Sequence, residues 1–123
     1  MATARVFLRI DLTPGQRIGP GKIALLEAIR DTGSISAAGR ALGMSYRRAW
    51  LLVEELNRAF AEPVVAAQAG GTRGGGAVLT GLGRELVACY RDLEREAQEL
   101  AARRLDPLAG RMAGGDPPPY TPR

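Results

Sequence analysis

The sequence has no histidine, one cysteine (Cys89) and one lysine (Lys22) among its 123 residues, and only 5% of it is aromatic. Without histidine and with a lone thiol, neither a Cys/His zinc site nor a disulfide framework can be assembled within one chain. The lack of cysteine pairs suits a reducing compartment. No apolar run approaches the roughly 20 residues that span a bilayer, and the N-terminus lacks a basic region followed by a signal-type apolar stretch. A cytoplasmic protein with no membrane contact is therefore expected. The length predicts one domain with a modest core and some spare chain.

What is present is arginine. Lys+Arg number 17 against 13 Asp+Glu, for a net charge of +4. Arginine also rises together with Ala, Gly and Pro in chains from GC-rich genomes, so its distribution is more informative than its sum. No acid lies between Asp31 and Glu54, a window holding Arg40, Arg47 and Arg48. A second acid-free window, from Glu62 to Glu85, holds Arg73 and Arg84. If the two windows fold onto one face, they form a positive surface suited to a polyanion; chance clustering in a basic chain is the competing explanation.

In chain order, apolar and polar residues alternate from Ala4 to Leu12, which predicts a strand turned by Thr13-Pro14-Gly15. From Gly21 the spacing is helical, with Leu25, Leu26 and Ile29 on one stripe and Lys22 off it; Gly33 ends this helix. Ser34 caps a second helix whose buried face is predicted to be Ile35, Ala38 and Leu42. Gly39 inside that helix implies a close neighbour. Gly43 closes it, and Ser45 caps a third helix with Ala49, Val53, Leu56 and Phe60 toward the core. Val64 to Ala69 and Ala77 to Leu79 read as strands joined by a glycine-rich loop carrying Arg73, a β-hairpin wing. Thr80 caps a last helix in which Leu86, Tyr90, Leu93, Ala97 and Leu100 alternate by four and three, the spacing of a coiled-coil seam. Beyond Leu105 the chain is rich in proline and is predicted to be a disordered tail over 106–123.

These signals describe a fold that is mainly α with a small β wing: a winged helix-turn-helix over residues 1–105 with a long C-terminal dimerisation helix from about residue 80. Two short helices with a glycine break, then Tyr46, Arg47 and Arg48 on the first turn of the second, is how a major-groove reader looks in sequence. The helix starts at Ser34–Ser36 and Ser45 offer backbone N–H groups to phosphates. Arg47 and Arg48 can reach base edges, and Thr72 and Arg73 on the wing can reach neighbouring phosphates or the minor groove. Trp50, beside the core stripe, is expected to pack in the core or a dimer surface rather than touch a base. Tyr46 stays open between DNA contact and packing.

Nucleotide chemistry is not supported. Gly19-Pro20-Gly21-Lys22 continues with Ile23 rather than Ser or Thr, and Gln16 stands where a phosphate loop needs its first glycine. The wing glycines do not lead from a strand into a helix. Cys89 is expected to be a buried, inert thiol. No enzyme and no cofactor are predicted.

G-M-S-Y-R-R-A-W at 43–50, E-L-N at 55–57 and G-G-T-R-G-G-G-A-V-L-T-x-x-G at 70–83 together resemble the N-terminal domain of the ModE family, molybdate-responsive bacterial transcription regulators whose winged helix is related to the LysR type. The match covers roughly Ala4 to Leu105. The resemblance implies a homodimer paired through the long last helix, with the helix from Ser45 and the wing around Arg73 meeting double-stranded DNA at the bacterial nucleoid. ModE proteins continue into C-terminal oxyanion-binding domains, whereas this chain passes into the proline-rich tail. No molybdate site is therefore carried onto any residue here, and sensing is left open, a separate effector-sensing partner being one route. The function expected is sequence-specific transcriptional regulation, of molybdenum-related genes on the strength of the resemblance. The alternative from another class is a winged-helix protein-interaction module, an adaptor for a separate sensor.

Overall fold

The computed structural model describes residues 4–12, 15–68 and 76–113. In chain order these form β1 (Ile10–Leu12), β2 (Gln16–Ile18), α1 (Pro20–Thr32), α2 (Ile35–Ala41), α3 (Tyr46–Ala59), β3 (Val65–Gln68), β4 (Gly76–Leu79) and α4 (Gly81–Leu105), followed by a 3-10 helix, Asp106–Arg111. The fold is helix-rich with two small antiparallel sheets, β1–β2 and β3–β4.

The core gathers around α1. Pro20 opens the helix, where its missing N–H costs nothing, and Gly33 closes it at φ 72° with its N–H bonded to the Ile29 carbonyl. Ile23, Leu25, Leu26 and Ile29 are fully buried and meet Ala38 of α2, Ala49, Val53 and Leu56 of α3, Val64, Leu79, and Val87 and Tyr90 of α4. Lys22 is buried as well, contrary to its expected place off the core stripe. Its Nζ donates to the Arg17 carbonyl at 2.8 Å and pairs with Glu55 at 3.1 Å. A long aliphatic stem can be covered in this way once its charged end is partnered.

The strand expected over Ala4–Leu12 is shorter. Only Ile10–Leu12 pairs, with Ile10 opposite Ile18, because the returning strand offers three residues. Residues before it are held on α4 instead. Gln98 accepts from Val6 N–H and donates to the Ala4 carbonyl, each at 2.8 Å, and the Tyr90 hydroxyl donates to the Leu8 carbonyl. Helix α4 is also clamped to α1. Arg91 grips Glu27 through Nε and Nη2 at 3.0 and 2.7 Å and reaches Glu94 at 2.7 Å. The Arg91 guanidinium holds the Glu27 carboxyl below its ordinary pKa against the opposing effect of burial, and Glu27 in turn raises that of Arg91.

The tail expected to be disordered from 106 opens with the 3-10 helix Asp106–Arg111, in which Pro107 stands in the first turn. Proline is tolerated there, as at any helix start. Residues 114–123 lie outside the described residues.

Candidate nucleic-acid interface

Local hydrogen bonds set the helix pair from Ser34 to Asn57. Ser34 Oγ accepts from Ala37 N–H at 3.0 Å, and Ser45 Oγ accepts from Arg48 N–H at 3.1 Å. Such caps contribute about 1 kcal/mol each. Between the helices Gly43 takes φ 71°, and Met44 N–H donates to the Gly39 carbonyl at 2.9 Å. The close neighbour implied by Gly39 is there: a Cβ on Gly39 would sit 3.1 Å from the Ala49 methyl and 3.5 Å from the Met44 carbonyl oxygen. The glycine lets α3 start directly against α2.

This packing turns Ala49, Val53 and Leu56 inward and leaves Tyr46, Arg47 and Arg48 exposed. Ser34 and Ser36 are half-buried at the start of α2, where Ser36 Oγ accepts from Arg40 Nη1 at 2.8 Å. Ser45 is exposed with its hydroxyl committed to the cap. The acid-free first window thus places Arg40, Arg47 and Arg48 in solvent. Trp50, expected to pack in the core or on a dimer surface, is not in the chain's own core; it is 42% exposed, because it lies one step past Ala49 and turns away from α1. Leu42 likewise leaves the predicted buried face, being 40% exposed at the C-cap of α2. Tyr46, Arg47, Trp50 and Leu51 line a shallow pocket of about 400 Å³. Beside it runs a groove of about 440 Å³ between α3, the start of α2 and the β3–β4 hairpin, which Tyr46 and Trp50 share with Ser34, Ser36 and Asn57.

Asn57 fixes the hairpin against α3. Its Oδ1 accepts from Val64 N–H at 2.8 Å and Val65 N–H at 3.1 Å, and its Nδ2 donates to the Val65 carbonyl at 3.2 Å. On the other strand Ala77 N–H donates to the Gly33 carbonyl at 2.9 Å. Sequence reasoning assigned Asn57 no role. An asparagine in the last turn of a predicted helix, just before a Pro-started strand, was the available signal. Thr72 and Arg73 lie outside the described residues.

The seam on α4 is divided. Leu93 and Leu100 are exposed at 43% and 46%, while Tyr90 is only 1% exposed, buried in the chain's own core. Leu86 and Ala97 are half-buried, Leu86 packed against that core. The correction has a geometric cause. A four-three repeat marks two columns of a helix; one of them, through Tyr90, is taken by α1 and by the N-terminal segment strapped to Gln98. Cys89, one residue before Tyr90, is exposed rather than buried. Apolar exposure continues past α4 at Leu108 and Met112.

No protein-family model matches the chain. It is 50% identical over 86 residues to the molybdenum-pterin-binding protein MopB of Rhodobacter capsulatus, an alignment covering 70% of this chain and 32% of that protein. It is 40% identical over 109 residues to the molybdenum transport protein ModE of Azotobacter vinelandii, covering 89% and 40%. Its homologues are ModE and MopB proteins. Another, the DNA-binding transcriptional dual regulator ModE of Escherichia coli K12, is 37% identical over 98 residues, covering 80% and 37%. These names are those of molybdenum-related regulators and binding proteins, not of enzymes. The chain spans about a third to two-fifths of the length of these ModE-type relatives. No helix among the described residues is long and apolar enough to cross a membrane.

Proposed function

We propose that this chain is a winged helix-turn-helix unit that binds double-stranded DNA sequence-specifically, as a homodimer, and regulates molybdenum-related genes. The observation that carries the reading is the first turn of α3: Tyr46, Arg47 and Arg48 stand exposed on a Ser45-capped helix start inside a window without acids. In this reading α3 enters the major groove, the N–H groups behind Ser34 and Ser45 meet phosphates, and Thr72 and Arg73 of the wing reach the flanking backbone. Residues 1–105 form the DNA-binding unit.

Selection from random duplexes with the purified chain tests the reading. It is expected to enrich a two-fold symmetric motif with half-sites about 34–36 Å apart. An adaptor that binds only protein enriches nothing, and that outcome replaces the reading with the adaptor.

The dimer is proposed to form on the exposed column of α4, through Leu93 and Leu100 with Leu86 and Ala97 at its edge; Tyr90 is excluded by its burial. Leu93→Asp places a charge in the middle of that column. It is expected to convert the dimer to monomer on size exclusion at micromolar concentration, since an unpaired charge within an apolar contact is strongly unfavourable. A dimer that survives the substitution puts the interface elsewhere.

A further inference from the structure

On α3 the surface left to solvent is not only basic. Tyr46 and Trp50 are four residues apart, as are Arg47 and Leu51, so two neighbouring rows run along one face: tyrosine then tryptophan, and arginine then leucine. Tyr46 is 56% exposed, Trp50 42% and Leu51 47%, and together with Arg47 they line a single pocket. Three large apolar side chains in water on one helix face call for an occupant. The charges around them indicate its chemistry. Arg47 lines the same pocket and Arg48 follows it on the first turn of α3, with no acid from residue 32 to residue 53, an arrangement complementary to a polyanion. Glu54, which lines the groove behind Trp50, marks the end of that field.

A duplex presents one apolar group in its major groove, the C5 methyl of thymine. We propose that Tyr46, Trp50 and Leu51 form a methyl-reading platform that selects thymines in each half-site, next to the base pair addressed by Arg47. This rests on the DNA-binding reading and adds which residues set specificity and which base they select. Arginine alone specifies guanine through its O6 and N7. The platform supplies a second determinant that recognises shape and an apolar surface without hydrogen bonds. Because Trp50 lines both the pocket and the groove toward the hairpin, it lies between the major-groove contact and the strand that the wing follows.

The test uses the full chain and the duplex obtained by selection. Each thymine of a half-site is replaced in turn by deoxyuridine, which removes the C5 methyl and leaves base pairing intact. At least one position per half-site is expected to lose about fourfold in affinity, the effect of burying one methyl-sized group. Trp50→Ala, whose side chain is outside the core, is expected to bind more weakly overall and to show a smaller difference between thymine and uracil at that position. If every uracil duplex binds within twofold of the parent while the motif itself is retained, the platform is overturned and the DNA-binding reading stands. The same holds if Trp50→Ala and Leu51→Ser both keep full thymine preference, which would leave the patch to a protein partner. A selection that enriches no motif overturns both.

Discussion

Changing Arg47 and Arg48 together to alanine is expected to lower affinity for the selected duplex by about thirtyfold or more, and to leave the far-ultraviolet circular dichroism spectrum unchanged. Each bidentate arginine–guanine contact discriminates by roughly 1–3 kcal/mol, and every tenfold change in affinity corresponds to about 1.4 kcal/mol. Two such losses therefore give between about thirtyfold and about twenty-thousandfold. The fold should not respond, because both side chains are exposed and the contribution of Arg48 to the Ser45 cap is its backbone N–H, which alanine retains. Alanine also favours the helix slightly over arginine. A gel shift on the selected sequence, with a spectrum recorded on the same preparation, checks both halves. Unaltered specific binding by a folded double variant ends the assignment of α3 as the reader.

Gly83→Ala is expected to destabilise the fold strongly although it adds only one methyl group. Where α4 starts, Thr80 Oγ1 caps the helix through Gly83 N–H at 3.0 Å and donates to the Pro63 carbonyl at 2.7 Å, while Thr80 N–H donates to the Val64 carbonyl at 3.0 Å. This pulls the chain after α3 onto the first turn of α4. A Cβ on Gly83 would lie 2.2 Å from the Val64 carbonyl oxygen and 3.1 Å from its carbon. Two effects compete. Alanine gains at most about 1 kcal/mol of helix propensity, whereas forcing an added group into a packed site costs typically 1–3 kcal/mol and more where the obstacle is backbone.

The overlap wins, because the Val64 carbonyl is itself fixed by Thr80 and the adjoining N–H by Asn57. A net loss of about 2 kcal/mol lowers the thermal midpoint of a domain this size by roughly 10 °C. Gly81→Ala is the matched control. A Cβ there meets only the Arg84 guanidinium at 3.9 Å, so its midpoint should stay near that of the parent. Both are compared at one protein concentration, since association shifts the midpoint. A Gly83→Ala protein as stable as the parent would mean that the helix start does not rest on the Val64 peptide.

The T-x-x-G at 80–83, quoted as part of a family pattern, thus acquires a physical reason: a cap on Thr80 and a contact that only hydrogen at Gly83 allows. Other features were legible from local chemistry alone. Ser34, Ser45 and Thr80 all cap where they were placed, since a cap is made with the N–H three residues on. Gly33 and Gly43 take the left-handed φ expected of helix-ending glycines. Gly39 signalled a close approach before its neighbour, Ala49, was known. The helix-rich chain with a small hairpin after α3 also follows from spacing and glycine placement.

Misreadings arose wherever the answer depended on what lies opposite. Leu42 and Tyr90 rest on periodicity, and periodicity says which residues share a stripe without saying what faces it. The turn after α2 leaves Leu42 in solvent, and α1 with the Gln98-bound segment claims Tyr90. Lys22 and Asn57 carry their roles only because Arg17, Glu55, Val64 and Val65 come within hydrogen-bonding reach.

By itself, then, the sequence determined the helices and their caps, the hairpin between α3 and α4, and the acid-free stretch that leaves α3 basic. Those properties depend on neighbours within a few residues, which any reader of the chain can see. Only the tertiary structure decided that α4 offers one apolar column rather than two, and that tyrosine, tryptophan and leucine stand beside Arg47 in solvent. Burial is a property of pairs of surfaces, and their partners here lie far away along the chain.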